Sequence, residues 1–184
     1  MNHFLGYRRP DGKVGVRNHL AIFSCSIYAN RVVAATSAAV PQAVPIMHQL
    51  GVGQYGADLA QTIHALIGMG LNPNIGACLI VFMGNESEDL LTIGHHVARA
   101  GKPVETVNIM AAGGTTSAID EACRAANQLA LELSSCKREP CQMAELVVGL
   151  ECGGSDFTSG LASNPTLGNV ADRCGDVLDC TVGA

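Results

Sequence analysis

The sequence predicts an α/β fold in which a mostly parallel sheet is flanked by helices. Three observations carry that expectation. Short apolar runs alternate with longer stretches of helical periodicity, the pattern of repeated strand–helix–strand units. Residues 77–83 are apolar at every position, as a central parallel strand covered on both faces requires. Glycine-bearing turns recur where strands should stop: Gly51-Val52-Gly53, Gly84-Asn85-Glu86, Gly113-Gly114-Thr115 and Gly153-Gly154-Ser155.

Taken in order, residues 19–24 read as a strand, residues 30–40 as an Ala- and Val-rich helix, and residues 44–48 as a second strand. Residues 57–69 form a helix whose Leu59, Ile63, Leu66 and Ile67 share one face. After the strand at 77–83, Ser87 is placed to cap a helix that has Glu88 and Asp89 in its first turn and Gly101 beyond its end. Residues 104–109 read as a fourth strand. The longest helix spans 117–133, with Ile119, Cys123, Ala126, Leu129 and Leu133 as its buried stripe. The arrangement is Rossmann-like, and ligands of such sheets bind outside the carboxyl ends of the strands.

Residues 134–143 (SSCKREPCQM) break the composition with charge and Pro140, and a boundary belongs there. The reading is an N-terminal motif segment at 1–18, a first α/β domain at 19–135 and the start of a second at 144–184. In that second unit a strand at 145–150, a helix at 165–173 and a strand at 177–182 are expected. So little sequence closes no core of its own, so the second α/β unit is expected to be incomplete and the chain a piece of a longer protein.

Of the 184 residues, 48% are apolar and 15% charged, which supports a packed core and excludes disorder. Aromatics are only 4% and glycines number 21, favouring close helix-on-sheet packing. A net charge of −5 with scattered Lys and Arg excludes a nucleic-acid footprint. No apolar run is long enough to span a bilayer, so no membrane role is expected. The start MNHF opens no secretory signal, so the eight cysteines are expected to be reduced and the protein cytoplasmic. No CxxC occurs, which argues against a structural zinc site.

Two stretches carry chemistry. Residues 147–172 (VVGLECGGSDFTSGLASNPTLGNVAD) run from an apolar strand into a glycine pair bearing a thiol, a hydroxyl and a carboxylate: Cys152, Ser155 and Asp156. Asn164-Pro165 then opens a helix. Residues 6–19 (GYRRPDGKVGVRNH) contain a good turn at RPDG and the pair Arg17-Asn18. With GLNPNI at 70–75 and GGTT at 113–116, these stretches resemble, in the same order, the altronate/galactarate dehydratase family, which includes the large subunit of the sulfolactate sulfo-lyases. The resemblance covers residues from about 6 to about 172. It implies a lyase that removes water from a sugar acid or related 2-hydroxy carboxylate, or sulfite from sulfolactate. It also implies a divalent metal, iron (Fe2+) or manganese. A homo-oligomer is expected, with a small partner subunit in the sulfo-lyase arrangement. Members commonly carry cysteine where this chain has Tyr28, Val52 and Asn85, whereas Cys152 matches.

Elimination beside a carboxylate needs a base for the α-proton, donors or a cation for the developing dianion, and an acid for the leaving group. His48, Asp156 and Cys152 are the catalytic candidates. Arg17, Asn18, Gly113, Gly114, Thr115, Ser155 and Asn164 are the substrate-binding ones, Arg17 as a fixed cationic fork and the glycine amides as an anion site. Glu86 and Cys152 are the metal candidates. The glycine-bearing corners that carry His48, Glu86, Thr115 and Asp156 are expected to share one crevice. Plainer readings stand beside these: Arg17 pairs with Asp11 across a turn, His48 bonds to backbone, and Cys152 is an inert thiol. His95 and His96 diverge on their helix, and His64 is structural. Two other functions remain open. One is a catalytically altered relative that binds a small carboxylate or a partner without turnover. The other is an interaction module active only in assembly.

Overall fold

The structure, a computed structural model, describes residues 3–151, 153–177 and 181–183. In chain order the elements are β1 (His3–Arg8), β2 (Val14–Gly15), β3 (His19–Ser24), α1 (Asn30–Ala39), β4 (Ala43–Ile46), α2 (Gly56–Leu71), β5 (Ile75–Phe82), α3 (Glu88–Arg99), β6 (Val104–Asn108), α4 (Thr115–Ser134), β7 (Glu139–Gln142), β8 (Val147–Gly149), α5 (Asn164–Asp172) and β9 (Thr181–Gly183). They divide into two compact units, Tyr7–Lys137 and Met1–Gly6 with Arg138–Ala184.

The larger unit is built on a parallel sheet in the order β4-β3-β5-β6. Alternation along β3 and β5 sends side chains to both faces. Leu20, Ile22, Leu79 and Val81 join Val32, Val33, Ala122 and Leu129 in a core against α1 and α4. Ala21, Phe23, Cys78 and Ile80 join Leu66, Leu90, Ile93 and Val97 in a second core against α2 and α3. The sheet is therefore sandwiched, as the uninterrupted apolar run in β5 requires. The chain leaves β3 for β4 on one side and returns to β5 on the other, so the strand order reverses between β3 and β5.

The helices follow their sequence signals with two differences. The buried stripe of α4 is Ala118, Ala122, Ala126, Leu129, Ala130 and Leu133, with Ile119 and Cys123 only half-buried. Alanines let α4 approach α1 closely, so the small side chains face inward. Ser87 occupies the N-cap position of α3 but its hydroxyl makes no capping bond. The first turn of α3 still carries Glu88 and Asp89 and the last His96 and Arg99, both matched to the helix dipole.

The residues expected to be a motif segment and a polar linker contain strands. In the larger unit, Tyr7 and Arg8 pair antiparallel with Gly15 and Val14 of β2. In the smaller unit, His3 to Gly6 of β1 pair with β7, where Leu5 lies opposite Pro140. Among the described residues β7 pairs with β1 on one side only, and an edge strand tolerates a proline. The smaller unit also pairs β8 with β9 in parallel, with α5 between them in sequence. The helix expected at 165–173 is thus present, while the strand expected at 177–182 falls partly on residues 178–180, outside the described residues. Among the described residues no helix is long and apolar enough to cross a membrane.

Candidate functional site

The strand order reverses between β3 and β5, and ligands of such sheets bind outside the carboxyl ends of the strands at that point. Two loops leave the sheet there, and Glu86 ties them. Its carboxylate accepts the Ser26 hydroxyl at 2.8 Å, the Met83 amide at 2.7 Å and the Gly84 amide at 2.8 Å. Burial pushes the Glu86 carboxyl up, but these donors together hold it below the ordinary carboxylate value. Gly84, at φ 115°, takes a conformation that side chains rarely adopt, and a Cβ there would lie 2.7 Å from the Asn108 amide oxygen.

His48 ties the loop after β4 to the same place. Its Nδ1 accepts the Leu50 amide at 3.3 Å, which leaves the proton on Nε2 to be donated to the Ser24 carbonyl at 3.0 Å. The His48 carbonyl accepts from the Asn30 side chain at 2.9 Å, and the Ile27 amide donates to Leu50 at 3.0 Å. The Ser24 hydroxyl closes the loop on the Ser26 carbonyl. Gly51, at φ 101°, lies so close to the Cys25 carbonyl and to Ser26 that no side chain fits. Cys25 is buried, and burial, then the Glu86 charge, push its thiol up to about 12. Beyond β6, α4 starts at Thr115 with Gly114 as its N-cap and no side-chain cap, so its first amides are open to an anion.

Arg17 and Asn18, expected to bind substrate, lie at the opposite end of the sheet from Ser26, His48 and Glu86. They precede β3 at its amino end, roughly 17 Å from its carboxyl end for a strand of this length. The Asn18 amide is committed at both ends, accepting from Arg9 at 2.8 Å and donating to the Leu133 carbonyl at 3.1 Å. The Arg17 side chain is exposed and donates to the Val16 carbonyl. Asp11 pairs with Lys13 at 3.6 Å, not with Arg17. Sequence reasoning passed over Arg9, which is 7% exposed and donates to the Pro73 carbonyl, the Arg17 carbonyl and Asn18. Asn74 accepts from the Val16 and Arg17 amides. The GYRRPDGKVGVRN and GLNPNI motifs therefore build one structural knot at the amino edge.

In the smaller unit, Ser155 and Asn164 line an open groove of about 470 Å³ together with Glu151, Ser159, Ser163 and Leu167. Asp156 works as a cap. Its carboxylate accepts the Thr158 hydroxyl at 2.5 Å, the Thr158 amide at 2.8 Å and the Ser159 amide at 3.1 Å. The Thr158 hydroxyl, then the Ser159 and Thr158 amides, hold it below the usual carboxylate range, which makes it a weak base. Cys152 lies outside the described residues.

Among the described residues no three His, Cys, Asp or Glu side chains gather as a metal site would need. The chemistry of the larger unit's carboxyl edge agrees. Glu86 already accepts from three donors, His48 uses both ring nitrogens, and Val52 has no donor atom. The metal expected from the resemblance does not fit this edge.

A parallel sheet covered by helices on both faces, with its strand order reversing between β3 and β5, is a doubly wound α/β domain. Residues 6–134 match the family model for the second domain of D-galactarate dehydratase/altronate hydrolase, and residues 143–179 match that for the C-terminal part of D-galactarate/altronate dehydratase. The chain belongs to this family. It is 36% identical over 170 residues to the (2R)-sulfolactate sulfo-lyase subunit beta of Chromohalobacter salexigens, covering 92% of this chain and 43% of that protein. It is 30% identical over 184 residues to the altronate dehydratase of Bacillus subtilis, covering 92% and 36%. Against the galactarate dehydratase (L-threo-forming) of Escherichia coli it is 32% identical over 207 residues, covering 94% and 37%. The chain thus spans less than half the length of these relatives.

Proposed function

We propose that this chain is part of a lyase that eliminates a substituent, water or sulfite, from a small 2-hydroxy carboxylate. The observation that supports this most is the alignment, along nine-tenths of the chain, with a sulfo-lyase subunit and two sugar-acid dehydratases. The local chemistry is compatible with the substrate class. In the larger unit, the uncapped start of α4 behind Gly113 and Gly114 offers amides to a carboxylate. In the smaller unit, the hydroxyls of Ser155, Ser159 and Ser163 and the Asn164 amide suit a polyhydroxylated carbon chain. Asp156 and Glu86 hold loops in place, and His48 serves as a base only after releasing its backbone bonds. Any divalent iron or manganese belongs to groups beyond the larger unit's edge, Cys152 being the remaining candidate. The subunit naming of one relative supports assembly with a partner subunit, and a cytoplasmic enzyme is in keeping with reduced thiols.

Turnover decides the matter. The gene product is offered altronate, galactarate and sulfolactate. The reading expects keto-acid formation from at least one of them, with sulfite release if sulfolactate is the substrate. Binding of all three without product would replace it with a non-catalytic relative.

A further inference from the structure

We propose that the tied loops at the carboxyl ends of β3 and β5 work without a metal ion of their own, and that Glu86 and His48 are positioning residues holding Tyr28, Val52 and Asn85 around Ser26 on three neighbouring loops. A divalent cation needs free lone pairs on oxygen, imidazole nitrogen or thiolate. Around Ser26 the carboxylate, imidazole and thiol groups are already engaged or buried. A cation at Glu86 would displace, or meet the positive ends of, the Ser26, Met83 and Gly84 donors. His48 keeps no lone pair once Nδ1 has accepted from Leu50 and Nε2 carries the proton given to Ser24. Cys25 is fully buried.

The three remaining positions surround Ser26 by the logic of their neighbours. Tyr28 follows Ile27, whose amide is bonded to Leu50. Val52 follows Gly51, which is pressed against Cys25 and Ser26. Asn85 precedes Glu86, which holds the Ser26 hydroxyl. All three side chains are exposed, Tyr28 at 56% and Val52 at 43%. A phenol, an isopropyl group and a carboxamide contact a ligand as neutral groups, and the isopropyl has no lone pair to give a metal.

Two measurements test this on the whole chain. In the first, the 15N-labelled protein is titrated with Mn2+ and amide line widths are followed. The expected result is no selective broadening of Ser26, Leu50, Met83 or Gly84 at equimolar metal. Selective broadening there, abolished in Glu86→Gln, overturns the proposal. In the second, Tyr28→Cys, Val52→Cys and Asn85→Cys are combined and the variant is titrated with Co2+. Thiolate–cobalt absorption at one equivalent, absent from the parent chain, is expected. A folded triple variant that shows none would sink the claim that these loops converge. Should the triple variant not fold, the pairwise double variants carry the same reading, since each change is at an exposed position.

Discussion

The Ser26 hydroxyl donates to the Glu86 carboxylate at 2.8 Å, across 60 residues of sequence, and this bond joins the two loops that leave the sheet where its strand order reverses. Glu86 also gathers the Met83 and Gly84 amides, so one side chain satisfies three donors. Glu86→Gln replaces one acceptor oxygen with an NH2 group that faces those donors. The expected cost is about 1–3 kcal/mol of stability, measured as a fall in urea midpoint with unchanged slope. A midpoint equal to the parent's would show that the tie contributes nothing.

Acid titration tests the same tie from the other side. The folded Glu86 carboxyl lies below its ordinary 4.5 because the two amides and the Ser26 hydroxyl outweigh burial. The stability it supplies is complete above that ordinary value and is lost as pH falls through the folded value. The parent chain should lose more stability than Glu86→Gln between about pH 5 and about pH 3. Parallel loss in both proteins would remove Glu86 from the account.

The parallel sheet was readable because its signal is local. Ala77 to Val81 are apolar in every position and entirely or almost entirely buried, and the helices between strands declare themselves by period and flanking charge. β1 and β7 were not readable. Their pairing joins residues 3–6 to residues 139–142, and β7 carries Glu139 and Pro140, which locally read as a linker. The site was readable only in outline. Glycine turns after the strands marked the carboxyl edge, and Glu86 and His48 were found there. Their roles depend on Ser26, Ser24 and Leu50, partners that no spacing rule connects. Ser24-Cys25-Ser26, directly at the end of a buried strand, was the available hint. Arg8, Arg9 and Arg17 carry the same side chain within one motif, and only burial separates Arg9 from Arg17.

Arg9 and Arg17 should therefore separate in experiment. Arg9→Ala leaves the Pro73 and Arg17 carbonyls and the Asn18 oxygen without their buried donor, and it removes the cation 5.6 Å from the Tyr7 ring centroid. A loss of about 3 kcal/mol or more is expected. Arg17→Ala should stay within about 0.5 kcal/mol of the parent, as exposed positions do. Thermal or urea unfolding of both variants checks the contrast. Equal losses would show that the motif's stabilising cation had been assigned to the wrong residue.

Lys102 gives a dependence on alkaline pH. Its side chain is 4% exposed and its ammonium donates to the Gly70 carbonyl at 2.8 Å and the Asn72 carbonyl at 2.7 Å, closing the end of α2. Burial pushes its pKa down from 10.5 to about 8, against the opposing pull of Cys78. Between those values the unfolded chain holds a proton that the folded chain has released, so stability rises with pH across that window and the cost of the buried charge is full below it. In Lys102→Met the two carbonyls lose their donor and this slope disappears. The stability of the parent relative to Lys102→Met should therefore increase by on the order of 1 kcal/mol from pH 7 to pH 10, after allowance for solvent screening. Taking the difference removes contributions common to both proteins. A difference that stays constant or shrinks with rising pH would mean that Lys102 keeps its proton, held by the carbonyls at the end of α2 more strongly than burial opposes it.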